Sequence, residues 1–489
     1  MLEAGGNAAD AAVAASLAAC VAETVMTGLL GGGHAVYFER STGRVRTLDC
    51  FVAVPGWGEQ PRRVELIHLD VPFGAELVHY AVGAASCAVP GLPAGLEALS
   101  REHGRLPWQQ LVEPAARLAR DGVDFPPAHA ACLAMLAPVM TMNEGAEIYA
   151  PHGELLRAGG RLEQPGLVGV VDELASDPGT LYRGSLAKEL LALSSERGGL
   201  ITATDLAAYE PRWDDPVEVA YRTWRITTRG GLSGMPETIP RLPQLQGLDE
   251  TRRVLALVDV FASAVEVDGD TTNVTVVDRE GNACVVTSSL GLGSGDFLPG
   301  RDLHLNSMLG EADLLRGELV PGSRMQSMMA PLLAFDEQGL ALAGGAAGGT
   351  RLRTALLGVV ASILDERRSA AAAVERPRFH PAPSVVHAEP GVDPAALDEL
   401  EARGRTVRRW PAPHHYFGGV SVVSRAGAAA DPRRSGAATV LRWRTRPGRP
   451  RPSRRSHSPD SRGSREPFPR PSVSRRPRHT RDSTRFRAL

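Results

Sequence analysis

Three hydroxyl side chains, Thr271, Thr272 and Ser289, stand at the two ends of one segment, TTNVTVVDREGNACVVTSS, whose halves read as paired strands. With Arg279 to Asn282 as the turn, Asp278 pairs with Ala283. Counting outward then sets Thr272 opposite Ser289, with Thr271 beside it at the open end. A threonine hydroxyl is a weak nucleophile unless a base adjoins it. A chain break before Thr271 would supply that base, because threonine and its own free α-amine form a nucleophile–base pair. The preceding Asp268-Gly269-Asp270 reads as a flexible polar turn. Threonine is also common in strands for packing reasons, and the hairpin taken alone says no more than that.

A second candidate is Gly348-Gly349, between an apolar strand and a helix beginning near Thr350. Glycines there let the backbone approach a ligand, and the helix start presents N–H groups suited to an oxyanion. Taken alone, a plain strand-to-helix turn is the simpler reading. Gly31-Gly32-Gly33 lacks the lysine of a phosphate loop and precedes a strand, so it reads as a tight backbone passage.

The elements that must position these groups follow from periodicity. Residues 7–22 are Ala-rich and apolar nearly all round, which predicts a buried helix. AVYFER, Ser41-Thr42-Gly43 and RVRTLDCF predict a hairpin, and residues 85–210 read as mainly helical, with Gly closing each run. Residues 229–250, rich in Gly and Pro, form the internal loop. PLLAF, DEQG and LALAGG predict another hairpin, and GTRLRTALLGVVASILDE an amphipathic helix. Helices and strands come in blocks with no βαβ alternation, which argues for stacked sheets covered by helices.

The 489 residues suffice for a large core, but aromatics are only 5%, so Ala, Leu and Val must fill it. The net charge of -2 conceals an asymmetry. Residues 444–489 hold 15 arginines against Asp460, Glu466 and Asp482, leaving the rest of the chain acidic. That Arg/Pro/Ser tail cannot bury a core and is expected to be disordered. It also lacks the aromatic interleaving of a nucleic-acid arm, so no nucleic-acid partner is expected. Cys20, Cys50, Cys87, Cys132 and Cys284 have apolar neighbours and no CxxC spacing, which reads as buried free thiols rather than zinc ligands. No apolar stretch is long enough to span a membrane, and no basic-then-apolar leader opens the chain. The expectation is a cytoplasmic protein, or a start that lies upstream.

Taken together and in order, these segments resemble the γ-glutamyltranspeptidase family of N-terminal nucleophile hydrolases. GGNAADAAVAA, PGLPAGLEAL, EPAARLARDG and DLAAY resemble its large-subunit landmarks. TTNVTVVDREGNACVVTSS, LHLNSMLGEADL, RMQSMMAP, GGAAGGTR and HYFGGVSVV with DPRRSGAA resemble its small-subunit motifs. The resemblance implies an α+β, four-layer αββα sandwich. Residues 1–270 would form a large-subunit segment and 271–443 a small-subunit segment, followed by the 444–489 tail. It implies self-cleavage at Asp270–Thr271 and acyl transfer from γ-glutamyl amides such as glutathione to water or an amino acid. The two fragments of the chain would stay associated, and neither cofactor nor metal is implied. Carried over by residue, Thr271 is the nucleophile, Thr272 its supporting neighbour and Ser289 the hydroxyl that orients its amine. Gly348 and Gly349 form the oxyanion hole, Asp313 binds the α-amino group and Ser327 the α-carboxylate.

Departures from the pattern bear on the substrate. The family's His after Thr-Thr is Asn273. Leu290 and Gly291 stand where an Asn helps hold the α-amino group, and Met328 replaces a Ser. The carboxylate-clamping Arg falls near Gln60, with Arg62 the nearest replacement, and RGGLSGMP stands at 229–236 in place of a Pro/Ser/Gly run. These changes leave two alternatives open: a glutaryl- or cephalosporin-type amide acylase, and a scaffold that never matures.

Overall fold

The computed structural model describes residues 1–59, 64–73, 76–262, 271–349 and 351–441. Arg62, the acid side of the Asp270–Thr271 bond and the basic tail lie outside these. Residues 1–440 form one compact unit.

Its frame is two sheets. In chain order the strands are β1 (Gly32–Glu39), β2 (Arg44–Cys50), β3 (Arg212–Asp214), β4 (Val217–Tyr221), β5 (Trp224–Thr228), β6 (Thr272–Val277), β7 (Ala283–Ser289), β8 (Leu332–Asp336), β9 (Gly339–Ala347), β10 (Gly419–Ser424) and β11 (Gly427–Ala430). One sheet runs β6-β7-β1-β2-β3 and the other β11-β10-β9-β8-β5-β4. Side chains alternate across a strand, and here that alternation divides the core into three layers. Ala35, Tyr37, Leu48, Cys284 and Val286 turn toward the helices of residues 8–206. Val36, Phe38, Val285, Leu333, Phe335 and Ala343 meet between the sheets. Ile226, Leu332, Leu342 and Val420 face the helices of residues 250–402. The result is the four-layer αββα sandwich.

Helix α1 (Ala8–Ala22) opens with a capping box, in which Asn7 Oδ1 accepts from Asp10 N at 3.1 Å and Asp10 Oδ2 accepts from Asn7 N at 2.8 Å. Its small side chains let it lie closely along β6 and β7. Asp278, in the β6–β7 turn, accepts from Ala8 N at 3.0 Å and so pins the start of α1 beside that turn. Fifteen residues of helix advance about 22 Å, and the six residues from Asp278 back to Thr272 span about 20 Å of strand. The end of α1 therefore arrives beside the open end of the hairpin.

That hairpin is registered one residue away from the sequence expectation. Thr272 pairs with Ser288, not Ser289, and Val277 with Ala283. The turn is shorter because Asp278 closes it: its N–H donates to Asn282 O at 3.0 Å, and its Oδ1 accepts from Glu280 N and Asn282 N. Gly281 takes φ +88°, the left-handed conformation such a turn needs. Extending the corrected register by one residue brings Thr271 itself level with Ser289.

The helix α2 (Arg351–Leu364) also departs from expectation. It is buried on nearly every side rather than amphipathic. Its arginines are accommodated by partners: Arg353 donates to Thr238 Oγ1 and Phe261 O, each at 3.0 Å, and Arg351 to Tyr416 O at 3.1 Å. All five cysteines are free and buried, as their apolar neighbours imply. Among the described residues no helix is long and apolar enough to cross a membrane.

Candidate active site

The open end of the β6–β7 hairpin has two faces with different work. On the helix side, Thr272 Oγ1 donates to Glu23 Oε2 at 2.5 Å, and Thr27 Oγ1 and Ser288 Oγ share a bond of 2.9 Å. Thr271 and Ser289 fall on the opposite side by alternation. Both are buried, and Ser289 Oγ accepts from Gly291 N at 3.0 Å. Gly31 lets the backbone of β1 close against this end, since a β-carbon there would lie 2.2 Å from Ser289 O.

Two residues beyond Thr271, Asn273 joins the sheets. Its Oδ1 accepts from Thr287 Oγ1 at 2.7 Å, and its Nδ2 donates to Ser421 Oγ at 2.5 Å and Thr275 Oγ1 at 3.0 Å. A β-carbon on Gly345 would meet Asn273 Oδ1 at 2.0 Å, so this bridge requires glycine in β9. It presses β6 against the strand that ends at Gly348-Gly349. There the chain turns with φ +121° at Gly348 and +56° at Gly349, and their carbonyls accept the N–H groups of Arg351 and Leu352 at 3.1 Å each. The pair is thus the entry of α2, where donors face outward.

The other predicted site residues are placed less uniformly. Ser327 is buried; its Oγ accepts from Met329 N at 3.2 Å, and its carbonyl accepts from Arg229 at 3.1 Å. Asp313 is 42% exposed and ion-pairs with Arg316 at 3.8 Å. Arg62 lies outside the described residues.

Three residues that sequence reading did not single out stand close to the site. Glu311 is buried, and its Oε1 lies 2.5 Å from where a β-carbon on Gly291 would be. It therefore fills the space a side chain on Gly291 would take. Its signal in the sequence is an acid two residues before Asp313. Arg434 reaches Met26 Sδ at 3.3 Å and His415 O at 3.3 Å, and its Nη2 lies 3.2 Å from a β-carbon built on Gly348. In the sequence it belonged to a motif read only as a chain end. Glu23 caps the C-terminus of α1. Burial raises its pKa above the usual carboxylate range, while the Thr272 hydroxyl and the Arg434 charge act the other way. His415 is held well below the ordinary imidazole value, first by burial and then by Arg434, so it stays neutral near pH 7.

Thr271, Ser289 and the Gly348-Gly349 turn thus stand at the ends of β6, β7 and β9. The arrangement suits attack on an acyl carbon with a backbone-stabilised oxyanion. The family model described as Gamma-glutamyltranspeptidase matches residues 1–267 and 252–441. The Acylase ACY 1 proenzyme of Pseudomonas sp. (strain SE83) is 28% identical, over 87% of this chain and 87% of its own. The glutathione hydrolase proenzyme of Escherichia coli (strain K12) is 26% identical, over 83% of each. In fold, the crystal structure of cephalosporin acylase from Bacillus halodurans superposes with a TM-score of 0.76 at 22% identity, covering 91% of this chain and 93% of that one.

Proposed function

Starting from the fact that this chain belongs to the γ-glutamyltranspeptidase family, we propose that it is a self-processing amide acyl hydrolase or transferase whose nucleophile is Thr271. The observation that carries this reading is the register that brings Thr271 level with Ser289, with Asn273, two residues on, packed against Gly345 of the strand that leads to Gly348-Gly349. An N→O acyl shift breaks the Asp270–Thr271 bond: the Thr271 hydroxyl attacks the Asp270 carbonyl, the amide nitrogen leaves as the new α-amine, and water hydrolyses the ester. In turnover the same hydroxyl attacks a substrate amide, and the amine carries its proton to the leaving group. Gly348 and Gly349 N–H groups hold the oxyanion. Water or an amino acid then takes the acyl group from Thr271.

Processing does not release the fragments on this reading. Strands β6 and β7 from the later fragment continue a sheet begun by β1 and β2, while β4 and β5 from the earlier fragment complete the other sheet. Each sheet needs both pieces. Purified protein is predicted to show two bands on a denaturing gel, one species in native mass, and fragments 1–270 and 271–489. N-terminal sequencing must find Thr first in the smaller piece, and any other residue there overturns the cleavage site. A single persistent band would instead support the non-maturing scaffold.

The acyl group proposed is a five-carbon dicarboxylic one, γ-glutamyl or glutaryl. Glu311, beside Gly291, offers a carboxyl group for a glutamyl α-ammonium, and Asp313 is a second acid two residues on. The Arg clamp is not at its usual place, and a bidentate Arg–carboxylate pair supplies geometry that the Ser327 hydroxyl cannot replace. The similarity to a Pseudomonas acylase supports the acylase alternative. γ-Glutamyl-p-nitroanilide is therefore predicted to be cleaved with a high KM and little preference over glutaryl-p-nitroanilide. Strong glutamyl preference that disappears in Arg62→Ala would show that Arg62 has taken over the clamp. Preference for glutaryl makes the protein an acylase.

A further inference from the structure

Glu23 is placed where a carboxylate is least welcome. It sits at the C-terminal end of α1, where the helix dipole opposes negative charge. Burial disfavours its ionised form as well. A neutral polar side chain would satisfy the helix end more cheaply. Such residues concentrate at functional sites, because a fold retains an unfavourable charge where chemistry uses it.

Its partner explains the use. Among the described residues β6 is the edge strand of its sheet, bonded through the ladder to β7 alone. On the proposed reading, cleavage makes Thr271 the first residue of that strand. A new terminus on an edge strand frays unless it is tied down, and a nucleophile cannot tolerate misplacement of an ångström. The Thr272 hydroxyl donates to Glu23 at 2.5 Å, a charge-assisted bond when the carboxylate is ionised. The opposite end of α1 is fixed by Asp278 at the hairpin turn. The helix thus acts as a rigid strut that delivers Glu23 to the residue behind the nucleophile.

We propose that Glu23 is the positioning residue of the nucleophile: its carboxylate, through Thr272, holds the freed Thr271 in register with Ser289 and the Gly348-Gly349 loop. The proposal rests on Thr271 being the nucleophile. Among the described residues, the titratable and charged groups that face Glu23 are Cys20 on its own helix and Arg434 from the segment after β11. The Cys20 thiol is pushed up to about 12 and stays neutral. Arg434 is the countercharge that acts against the rise in the Glu23 pKa and favours its ionised form.

The sign of the pH effect follows. Glu23 has a higher pKa in the folded chain than in the unfolded one, so its stabilising contribution is present below the unfolded value and is lost as pH rises through the folded one. Ionising Glu23 therefore costs the folded chain stability. Glu23→Gln keeps the size and an acceptor for Thr272 but removes the charge. The Gln variant should melt at or above the wild-type temperature while losing kcat by tenfold or more, with KM within twofold. The acidic limb of kcat/KM against pH, set above the usual carboxylate range in the wild type, should vanish. A merely structural residue would lower the melting temperature and leave the profile in place.

Thr272→Val removes the donor and should show the same loss of kcat, and Thr272→Ser should recover most of it. The double variant Glu23→Gln/Thr272→Val should be no worse than either single one, since both break one link. The assay uses full-length protein, with the fragment beginning at Thr271 verified by mass first. If the wild type lacks that fragment, the nucleophile assignment has failed. If it matures and Glu23→Gln matches its kcat and pH profile, or if the two single losses multiply, the role of Glu23 is refuted.

Discussion

Replacing Thr271 by Ala is expected to leave one unbroken chain of 489 residues with no measurable turnover of γ-glutamyl or glutaryl amides. Both losses follow from a single oxygen, because the hydroxyl that attacks the Asp270 carbonyl during maturation later attacks the substrate. The amine that serves as base also appears only after cleavage, so an uncleaved chain lacks it too. The fold should survive: Thr271 precedes β6, and the ladder from Thr272 onward does not use its side chain. Thr271→Ser keeps the oxygen and should retain part of both activities, the missing methyl costing some rotamer restriction. Intact mass and a p-nitroanilide assay decide the matter. An Ala variant that still splits into two fragments would place the nucleophile elsewhere.

Stacked sheets covered by helices were legible because strand alternation and helix periodicity are local properties, while the four-layer order came from the family resemblance. TTNVTVVD and ACVVTSS declare themselves as strands wherever they are packed. Register was not legible to the same degree. The one-residue shift depends on Asp278 closing the turn with its own side chain, and TTNVTVVDREGN reads equally well with a longer turn. The burial of α2 was hidden for a related reason. Arg351 and Arg353 look like a polar face in sequence, and only their partners at Tyr416, Thr238 and Phe261 reveal them as interior. Glu23, Glu311 and Arg434 were missed because each reaches the site from a segment distant in sequence. A lone acid after an Ala-rich helix carries no pattern, and its meaning comes from lying one helix length from Asp278.

Gly349 separates a catalytic loop from a structural one. Gly348 is a poor test position: at φ +121° it needs glycine, and a β-carbon there would lie 2.7 Å from Gly418 Cα. Any substitution would disturb the junction of β9 and β10. Gly349 has φ +56°, the left-handed region that Asn enters readily and that a β-branched residue enters only with strain. Forcing an ordinary side chain into it costs about 1–2 kcal/mol, which a chain with a core of this size can absorb. An oxyanion donor is worth much more in rate, about 10²–10³ for one N–H removed. Gly349→Val should therefore mature poorly and cut turnover of processed enzyme by two to three orders of magnitude, mostly in kcat. Gly349→Asn should keep the backbone conformation and lose activity only so far as its side chain obstructs the acyl group. Circular dichroism and melting temperature establish that both remain folded. If folded Gly349→Val turns over substrate at the wild-type rate, the Gly348-Gly349 pair is a turn at the start of α2, and the oxyanion must be held by other donors near Thr271.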